Sequence, residues 1–456
     1  MKKINLYVII LGCVMALSSC WEDRSWQYYE KIQTKSWMYE TMQKNYLFYE
    51  DLPALKSNDK IFFKQPTDFL RSVASKKDGK AGYIFSHIDS VRTETRSMSD
   101  YPGFGYEAAF VNVRFESQLV PALRVLYVQK DSPAYRSGIK RGDWIIAVDS
   151  IGVKSEKMAE YTFMPSGPHE FMMAEINAEQ SGFDTLEASK VLTPEPVLVN
   201  NILSDGVVNT EGGHKAYYIL YNEFGDDVEE WDALFGRMAA TQFDDVIVDL
   251  RYNPGGYLST LQYMASRLVP AGHAGENFVQ LLPAEGLGLQ PKQYVFDEST
   301  PLAYRNLYVI ATMHSASASE AFINCLRPYM NGHMYHVGTN TYGKNMAQSR
   351  FVDDKQAPGL EFWLTTYYVA NIDNEYDYFT GGLKPDYLKT ENLGGALGEM
   401  GTPADSLMQP VLYHMDNNQF ESALSADART IEKRMAIRWE EIGNTVANRR
   451  KRLLDE

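Results

Sequence analysis

The sequence predicts an α/β protein built from several domains, and three observations support this prediction. A chain of 456 residues is too long for one ordinary hydrophobic core, so its length predicts roughly three domains. Hydrophobic residues make up 45% and charged residues 23% of the chain, which is typical of a globular protein. After a proline-rich boundary at residues 192–196, strand-like and helix-like runs alternate, and this order predicts a layered α/β core.

The pattern of hydrophobic residues changes along the chain and predicts separate domains. From Trp26 to Ser90 aromatic and aliphatic residues recur at helical spacing, as in SWMYETMQKNYLFYEDLP, which predicts a small helical domain. Short β-like runs broken by glycine follow as far as Thr193 and predict a β domain. The predicted division is a leader at 1–19, a helical domain at 20–95, a β domain at 96–195, an α/β core at 196–403 and a helical tail at 404–456.

The charge of the chain argues against one large class of function. The formal charge is −15 and the pI is near 5.1, whereas a nucleic-acid-binding protein needs a basic face to neutralise phosphates. The basic tail NRRKRLLDE is short and is better explained as a solvated helix end. The histidines are scattered, and the sequence contains no HExxH helix, P-loop or GxSxG nucleophile elbow. We therefore expect neither a metal nor another cofactor.

The N-terminal residues have the pattern of a signal peptide, which predicts that the protein is exported. Lys2 and Lys3 precede an apolar run at residues 6–17, which is too short to span a bilayer and is typical of a signal peptide. The LSSC that follows resembles a bacterial lipobox, which implies cleavage before Cys20 and lipidation of its thiol; a simple secretory signal is the alternative. Residues 21–23, WED, resemble the acidic export tag of surface lipoproteins. We expect a chain anchored by lipid to the outer membrane in the cell envelope, with surface display as a further hypothesis.

The three cysteines predict neither a disulfide framework nor a zinc cluster. Cys13 would leave with the signal peptide and Cys20 would carry lipid, so Cys325 alone remains in the folded part of the chain.

The segment DSPAYRSGIKRGDWIIAVD resembles a PDZ domain. In that family Pro133 would start a short helix, Gly138 and Gly142 would supply turns, and residues 144–148 would form a strand. Gly103-Phe104-Gly105-Tyr106 would match the family's carboxylate-binding loop. Such a loop points backbone N–H groups at a chain terminus while an extended peptide adds itself to the edge of the sheet.

The stretch HSASASE repeats a small hydroxyl residue where an apolar run meets a helix-like run. Ser317, followed three residues later by Glu320 and then by AFINCL, forms a capping-box pattern, which is a structural explanation. Catalysis by Ser317 requires partners elsewhere in the chain. Glu320 is therefore better interpreted as a helix-capping residue than as a catalytic acid.

Two further segments supply such partners. In VIVDLRYNPGG a buried strand ends in a turn whose paired glycines, Gly255 and Gly256, are ordinary turn residues. They can also aim backbone N–H groups at an oxyanion, which stabilises it by about 3–4 kcal/mol for each donor. The second segment, GTNTYGK, ends in Lys344, and Gln348 lies four residues beyond it.

Together, DLRYNPGG, SASASE, TYGK with Gln348 and the later GLKPD resemble the carboxy-terminal-processing (tail-specific) peptidase family, from about residue 96 to residue 390. The resemblance implies a crotonase-like α/β core preceded by helical and PDZ domains. Two residues depart from the family pattern: His314 stands where small or apolar residues are common, and Asn345 follows the lysine where glycine is frequent.

The resemblance also implies a role for each matching residue. Ser317, the middle serine, matches the nucleophile, and Lys344, 27 positions later, matches its base. Gln348 matches a residue that helps to hold the lysine. The oxyanion donors would be backbone N–H groups, that of Ala318 and that of either Gly255 or Gly256.

The chemistry of a serine–lysine pair imposes a physical requirement. A serine hydroxyl is a poor nucleophile until a base removes its proton, and a lysine amine can do so only when it is neutral. The reference pKa of lysine, ~10.4, must fall by about three units, which corresponds to roughly 4 kcal/mol and can be achieved by burial. We therefore expect Lys344 to be buried close to the Ser317 hydroxyl in the active state. His314 as the base is a less favoured alternative.

The sequence thus predicts an envelope lipoprotein that cleaves extended or unfolded polypeptides. Capture of their carboxyl ends in the PDZ groove is a further hypothesis. A catalytically silent peptide-binding or scaffold lipoprotein on the same fold is the main alternative. A surface glycan-binding protein, suggested by 30 tyrosines and seven tryptophans, is less favoured because these residues follow core-like patterns. The sequence leaves the oligomeric state open.

Overall fold

The computed structural model describes residues 25–80, 82–90, 102–226, 228–421 and 438–445. The predicted signal peptide, the lipidation site Cys20 and the basic tail lie outside these residues. The chain divides into two compact units. The first comprises the described residues up to 90 together with 348–366, and the second comprises 102–347 together with the described residues from 367 onward.

The first unit is mainly helical. Its elements are α1 (Ser25–Asn45), α2 (Pro66–Val73), β1 (Gly79–Lys80), β2 (Tyr83–Ile84) and β3 (His87–Ser90). Side chains of α1 and of the residue that follows it form the core of the unit, because Met38, Met42 and Tyr46 are fully buried. The structure corrects the predicted helical domain at 20–95 in two respects. It contains short strands, and residues 360–363 pair antiparallel with β3, so the unit is completed by a distant segment.

A buried carboxylate lies at the centre of this unit. Asp78 accepts hydrogen bonds from the hydroxyls of Tyr46 at 3.0 Å, Ser86 at 2.5 Å and Thr365 at 2.6 Å. Burial raises the pKa of Asp78 to about 6, although the hydrogen bonds act in the opposite direction. The folded state therefore binds a proton more tightly than the unfolded state does. Protonation of Asp78 therefore stabilises the folded state. This stabilisation is complete below the pKa that Asp78 has in the unfolded chain, and it is lost as the pH rises through 6.

Asp78→Asn should remove this pH dependence. Between pH 7 and pH 5 the wild type should gain about 1.3 kcal/mol in the free energy of unfolding relative to the variant, since one pKa unit corresponds to ~1.36 kcal/mol. Urea denaturation at both pH values measures the difference. Asp68→Asn, at an exposed carboxylate, is the matched control and should parallel the wild type. Equal pH dependence in the Asp78 variant and the wild type would contradict the assignment.

The second unit begins with a β domain. Its strands are β4 (Pro102–Gly103), β5 (Tyr106–Phe115), β6 (Gln118–Val128), β7 (Trp144–Val148), β8 (Ile151–Gly152), β9 (His169–Ile176), β10 (Phe183–Thr185), β11 (Lys190–Leu192) and β12 (Glu195–Pro196). Two short helices accompany them, α3 (Pro133–Arg136) and α4 (Met158–Thr162). The helix predicted at Pro133 and the strand predicted at 144–148 are both present. Gly138 and Gly142 adopt positive φ angles of 75° and 87°, as their predicted turns require.

The α/β core follows in the same unit. Its strands are β13 (Ile202–Asn209), β14 (Lys215–Tyr221), β15 (Asp245–Asp249), β16 (Asn277–Pro283), β17 (Lys292–Val295), β18 (Leu307–Ala311) and β19 (Met334–Gly338). The later strands are β22 (Tyr387–Leu388) and β23 (Arg438–Asn444). Two further strands, β20 (Met346–Val352) and β21 (Leu360–Ala370), lie largely within the 348–366 segment of the first unit. The helices are α5 (Val228–Ala239), α6 (Leu258–Leu268), α7 (Ala318–Leu326) and α8 (Met408–Asn417).

The central sheet has the strand order β13-β14-β15-β18-β19-β22, in which β13 is antiparallel and the other strands are parallel. Alternate residues of each strand face opposite sides. Val246, Val248 and Val309 pack with α5, α6 and α7 on one face. Ile247 and Ile310 pack with α8 on the other. These contacts form three layers, and the predicted α/β core is present.

The predicted helical tail at 404–456 is wrong in part. Helix α8 does not form a separate tail, because Val411 and Met415 are buried against the central sheet. Further along, the chain forms strand β23, which pairs with β5 of the β domain. Pairing with a strand edge hundreds of residues earlier determines this conformation, and local periodicity does not reveal such a contact.

Candidate active site

The three segments singled out in the sequence follow three neighbouring strands of the central sheet. DLRYNPGG follows β15, HSASASE follows β18 and GTNTYGK follows β19, and these strands are adjacent and parallel. The carboxyl ends of adjacent parallel strands meet at one edge of a sheet, where open α/β folds place their ligand sites. The topology therefore brings together segments that span residues 249 to 344 of the sequence.

Direct hydrogen bonds join the first two segments. The carbonyl of Asn253 accepts the N–H of Ala316 at 3.1 Å and the hydroxyl of Ser319 at 3.0 Å. The hydroxyl of Ser315 donates to the carbonyl of Leu250 at 2.6 Å. The two outer serines of the triplet therefore have structural roles. They hold the loop that carries the middle serine, Ser317.

Ser317 has an unusual backbone conformation. Its φ of 56° and ψ of −114° lie in a region that costs a non-glycine residue free energy, and such strain is concentrated at functional sites. The residue immediately precedes α7, whose first N–H groups have no partners within the helix. Its side chain is half-buried, whereas Ala316 and Ala318 on either side are fully buried. The middle serine is thus held at a helix N-terminus with its side chain accessible.

The glycine turn lies directly against Ser317. A Cβ atom on Gly255 would come within 2.7 Å of the Ser317 Cβ and 2.9 Å of the Ala318 nitrogen, so no larger residue fits there. The N–H of Gly255 donates to the side-chain oxygen of Asn253 at 2.9 Å. For the N–H of Gly256, by contrast, no acceptor is found among the described residues. The geometry thus distinguishes two glycines that the sequence left equivalent.

Glu320 connects the serine loop with the lysine loop. One carboxylate oxygen accepts the N–H groups of Ser317 at 2.9 Å and Lys344 at 2.7 Å. The other accepts the Thr341 hydroxyl at 2.6 Å and the Gly343 N–H at 2.5 Å. Glu320 is fully buried, and burial raises its pKa even though the four donors favour the charged form. The carboxylate therefore does more than cap a helix, because it fixes the backbones of Ser317 and Lys344 next to each other.

Glu320→Gln should weaken the fold around both loops. The amide NH₂ of glutamine would face two of the four donors, and an unsatisfied buried donor costs about 1–3 kcal/mol. We expect a loss of about 2–4 kcal/mol in the free energy of unfolding, measured by chemical denaturation. Glu298→Gln, at an exposed carboxylate, should change the stability by less than about 0.5 kcal/mol. Equal stabilities of the two variants would contradict the role of Glu320.

Lys344 and Gln348 have different surroundings. The Lys344 side chain is half-buried, which is less than the full burial expected for the active state. Gln348 belongs to the first unit, where its amide donates to the carbonyl of Phe85. Asn345, the departure that follows the lysine, is buried, and its side chain donates to the carbonyl of Tyr376 at 2.6 Å.

His314 points its Nε2 atom toward strand β23. That nitrogen lies 3.3 Å from the side-chain nitrogen of Asn444 and 3.4 Å from a carboxylate oxygen of Glu441. Side chains of another segment thus contact one of the two ring nitrogens. These contacts disfavour His314 as the base for Ser317.

The predicted carboxylate-binding loop, residues 103–106, packs and hydrogen-bonds within the β domain. Gly103 pairs with Glu195, and the Phe104 side chain is fully buried in the domain core. The Phe104 N–H donates to the carbonyl of Thr162 in α4 at 3.0 Å. Gly105 has a φ of 78°, and the hydroxyl of Tyr106 donates to the carbonyl of Tyr161 at 2.6 Å. The loop is therefore bonded directly to α4.

Three family models match the chain in succession. The Peptidase S41 N-terminal domain matches residues 33–87, the PDZ domain matches 124–169, and Peptidase family S41 matches 215–388. The chain belongs to peptidase family S41. The predicted fold class, an α/β peptidase core with an N-terminal domain and a PDZ domain, is thereby confirmed.

Individual relatives agree with this assignment to S41. The carboxyl-terminal-processing protease of Picosynechococcus is 25% identical over 312 residues, 67% of this chain and 70% of that protein. A protein of Staphylococcus aureus described as a CtpA-like serine protease is 25% identical over 342 residues, 72% of this chain and 62% of that protein. A solved structure from Bacteroides fragilis, assigned to the S41 proteases, has a TM-score of 0.69 and 24% identity, and covers 84% of this chain and 97% of its own. This last likeness supports the fold.

The S41 core contains a buried ionic cluster that sequence reasoning missed. Arg251 is fully buried and contacts Asp249 at 2.6 Å, Glu391 at 3.0 Å and Asp405. Arg141 of the PDZ domain also pairs with Glu391. Burial acts to raise the pKa of Glu391, but the two guanidinium groups outweigh it and lower that pKa to about 2. The sequence signal that could have indicated this cluster is VIVDLR, in which charged residues stand at the end of an apolar strand.

The cluster supports the loops of the candidate site. The carbonyl of Arg251 accepts a hydrogen bond of 2.5 Å from the hydroxyl of Thr312, which lies at the start of the serine loop.

Within the described residues, no helix is long and apolar enough to cross a membrane, and no group of three or more acidic, histidine or cysteine side chains could hold a metal ion.

Proposed function

We propose that this S41 member is a lipid-anchored serine endopeptidase of the cell envelope that cleaves extended or unfolded polypeptides with Ser317 and Lys344. One observation carries the proposal: a single oxygen of Glu320 accepts the backbone N–H groups of both residues. A serine in a strained conformation at a helix N-terminus thus adjoins the residue that would be its base. The names of the processing proteases among its relatives support the same class of reaction.

The reaction would proceed in two halves. The Ser317 Oγ attacks the scissile carbonyl while its proton passes to the neutral Lys344 amine, and a tetrahedral intermediate forms. The protonated amine then donates that proton to the leaving nitrogen, which departs and leaves an ester on Ser317. A water molecule, deprotonated by the same amine, attacks the ester to form a second tetrahedral intermediate. The protonated amine returns that proton to the Ser317 Oγ as the C–O bond breaks and the second product leaves. Lys344 therefore acts first as a base and then as an acid.

Two backbone donors would stabilise the oxyanion. Ala318 supplies the first N–H, because it begins α7 directly after the nucleophile. Of the two glycines we propose Gly256 as the second donor, since the N–H of Gly255 is already bound to Asn253. The partial positive charge at the helix N-terminus acts in the same sense.

The half-buried position of Lys344 suggests a role for the substrate. A polypeptide lying across the site would displace water from the amine, and desolvation favours the neutral form that a base requires. Gln348 would help to hold the lysine, as the family resemblance implies. The substrate would thus contribute to the activation of the base.

Targeting and capture complete the proposal. The residues before and including Cys20 would direct export and attach lipid, which keeps the enzyme at the outer membrane. The loop Gly103-Phe104-Gly105-Tyr106 would receive the carboxyl end of a polypeptide while its preceding residues extend along the sheet edge.

A serine-directed fluorophosphonate probe tests this function directly. In the presence of a denatured polypeptide, the probe should label Ser317 and inhibit cleavage of that polypeptide in parallel. Mass spectrometry of the digested protein identifies the labelled residue. Cleavage that continues at full rate after complete labelling, or labelling confined to another residue, would overturn the assignment. A folded protein that neither labels nor cleaves would favour the silent scaffold.

A further inference from the structure

The outer edge of strand β5 in the PDZ domain is covered by the chain itself. Strand β23 pairs antiparallel with β5, from Arg438 opposite Arg114 to Asn444 opposite Ala109. The sheet order places β6 on one side of β5 and β23 on the other. Residues more than 320 positions further along the chain thus complete the sheet.

This position coincides with the groove expected for a captured polypeptide. Strand β5 begins directly after the loop at 103–106, and β23 runs along it toward that loop. A Cβ atom on Gly443 would lie 3.4 Å from the sulfur of Met158 in α4, so β23 lies against that helix. The hydroxyl of Thr445 accepts the N–H of Ala108 at 2.9 Å and donates to its carbonyl at 3.2 Å. The segment therefore satisfies the backbone groups that an added peptide strand would use.

The segment is held by a backbone ladder and by side chains on its inner face, where Asn444 and Thr445 are buried and His314 contacts Glu441. Exposure alternates along β23, with Arg438, Glu440 and Ile442 turned to solvent. On the inner side, Trp439 donates to the side-chain oxygen of Asn392 at 3.0 Å. An edge strand that exposes every second side chain opens at a lower cost in free energy than a core strand that is covered on both faces. Such a strand can exchange with a competitor that offers the same backbone hydrogen bonds.

We propose that residues 438–445 are a resident, exchangeable occupant of the β5 edge, and that an extended polypeptide binds the PDZ domain by displacing them. The inference rests on the proposed function for the identity of that polypeptide, namely the substrate. One edge of β5 can pair with only one strand at a time, so the two compete. A tethered occupant acts at an effective concentration on the order of millimolar, which weakens the apparent affinity of a free competitor.

Two opposite variants of the full chain test the competition. Asn112→Cys/Glu440→Cys places cysteines on directly opposed residues that both reach the surface, at a cross-strand spacing that a disulfide can bridge. Trp439→Ala/Thr445→Ala removes the inner anchors of the segment. Arg438→Ala, on the exposed face, is the matched control. All variants carry Ser317→Ala, so that the probe is not cleaved.

The probe is a fluorescein-labelled peptide with the sequence RWEEIGNT, and the readout is fluorescence anisotropy. Oxidation of the cysteine variant should weaken binding at least about tenfold, and reduction should restore it. The weakened variant should bind at least about tenfold more tightly than the control. Equal affinity in the oxidised, reduced and weakened proteins, or no binding by the weakened protein, overturns the inference. Because the readout does not require cleavage, failure of the proposed peptidase activity would leave it unchanged.

Discussion

Ser317→Ala should abolish hydrolysis of a denatured polypeptide and leave the fold intact. Removal of the nucleophile from a serine peptidase lowers kcat by a factor on the order of 10⁶, because what remains of the site can only bind and polarise the substrate. The alanine adds no new clash with the glycine turn, since its methyl group occupies the position of the existing Cβ. Initial rates of product formation from a fluorescently labelled denatured protein provide the measurement.

The two flanking serines supply matched controls for this variant. Ser315→Ala and Ser319→Ala each remove a buried hydrogen bond to the DLRYN loop, which costs about 1–2 kcal/mol of stability. Both should retain cleavage within about tenfold of the wild type, because neither hydroxyl takes part in the proposed chemistry. Cleavage by folded Ser317→Ala at more than a few per cent of the wild-type rate would exclude Ser317 as the nucleophile.

Lys344→Ala and Lys344→Arg should both be inactive. The alanine variant lacks a base, and general base catalysis contributes about 10²–10⁴-fold to a rate. Arginine keeps the positive charge and the length of the side chain, but its pKa above 12 prevents it from accepting the serine proton. We expect losses of at least about 10³-fold in kcat/KM for both variants.

The Lys344→Arg variant distinguishes two possible roles of Lys344, as a base that accepts a proton and as a positive charge that orients the substrate. If Lys344 only attracted or oriented the substrate electrostatically, Lys344→Arg would retain most of the activity, and this result would contradict the proposed dyad. Lys355→Ala, at an exposed lysine, controls for a general effect of lost charge and should behave as the wild type. Thermal unfolding of each variant verifies that the fold persists.

Much of the core could be predicted from the sequence because its signals are local. The strands after residue 196 are apolar runs bounded by turn residues, and the paired glycines and the serine triplet each follow such a run. Parallel neighbours then bring the three motifs to one sheet edge, which is a property of the topology rather than of any one motif. The short helix and the turns of the PDZ domain were predictable for the same reason.

The remaining features depend on contacts between distant parts of the chain. The Arg251 cluster joins residues from both ends of the α/β core and from the PDZ domain, and no sequence periodicity reports such pairing. The fourfold contact of Glu320 also goes beyond the capping-box pattern, because three of its donors lie in the lysine loop. Strand β23 acquires its conformation from the edge of β5, so the helix that its local pattern predicts does not form.

The most direct test is a crystal structure of the protein with a slowly cleaved polypeptide bound across the site. The account predicts that the amine nitrogen of residue 344 then lies about 2.6–3.2 Å from the side-chain oxygen of residue 317, shielded from water by the bound chain. An amine that projects into solvent, out of hydrogen-bonding range of that oxygen while the substrate is in place, would leave the proposed hydrolysis without its base.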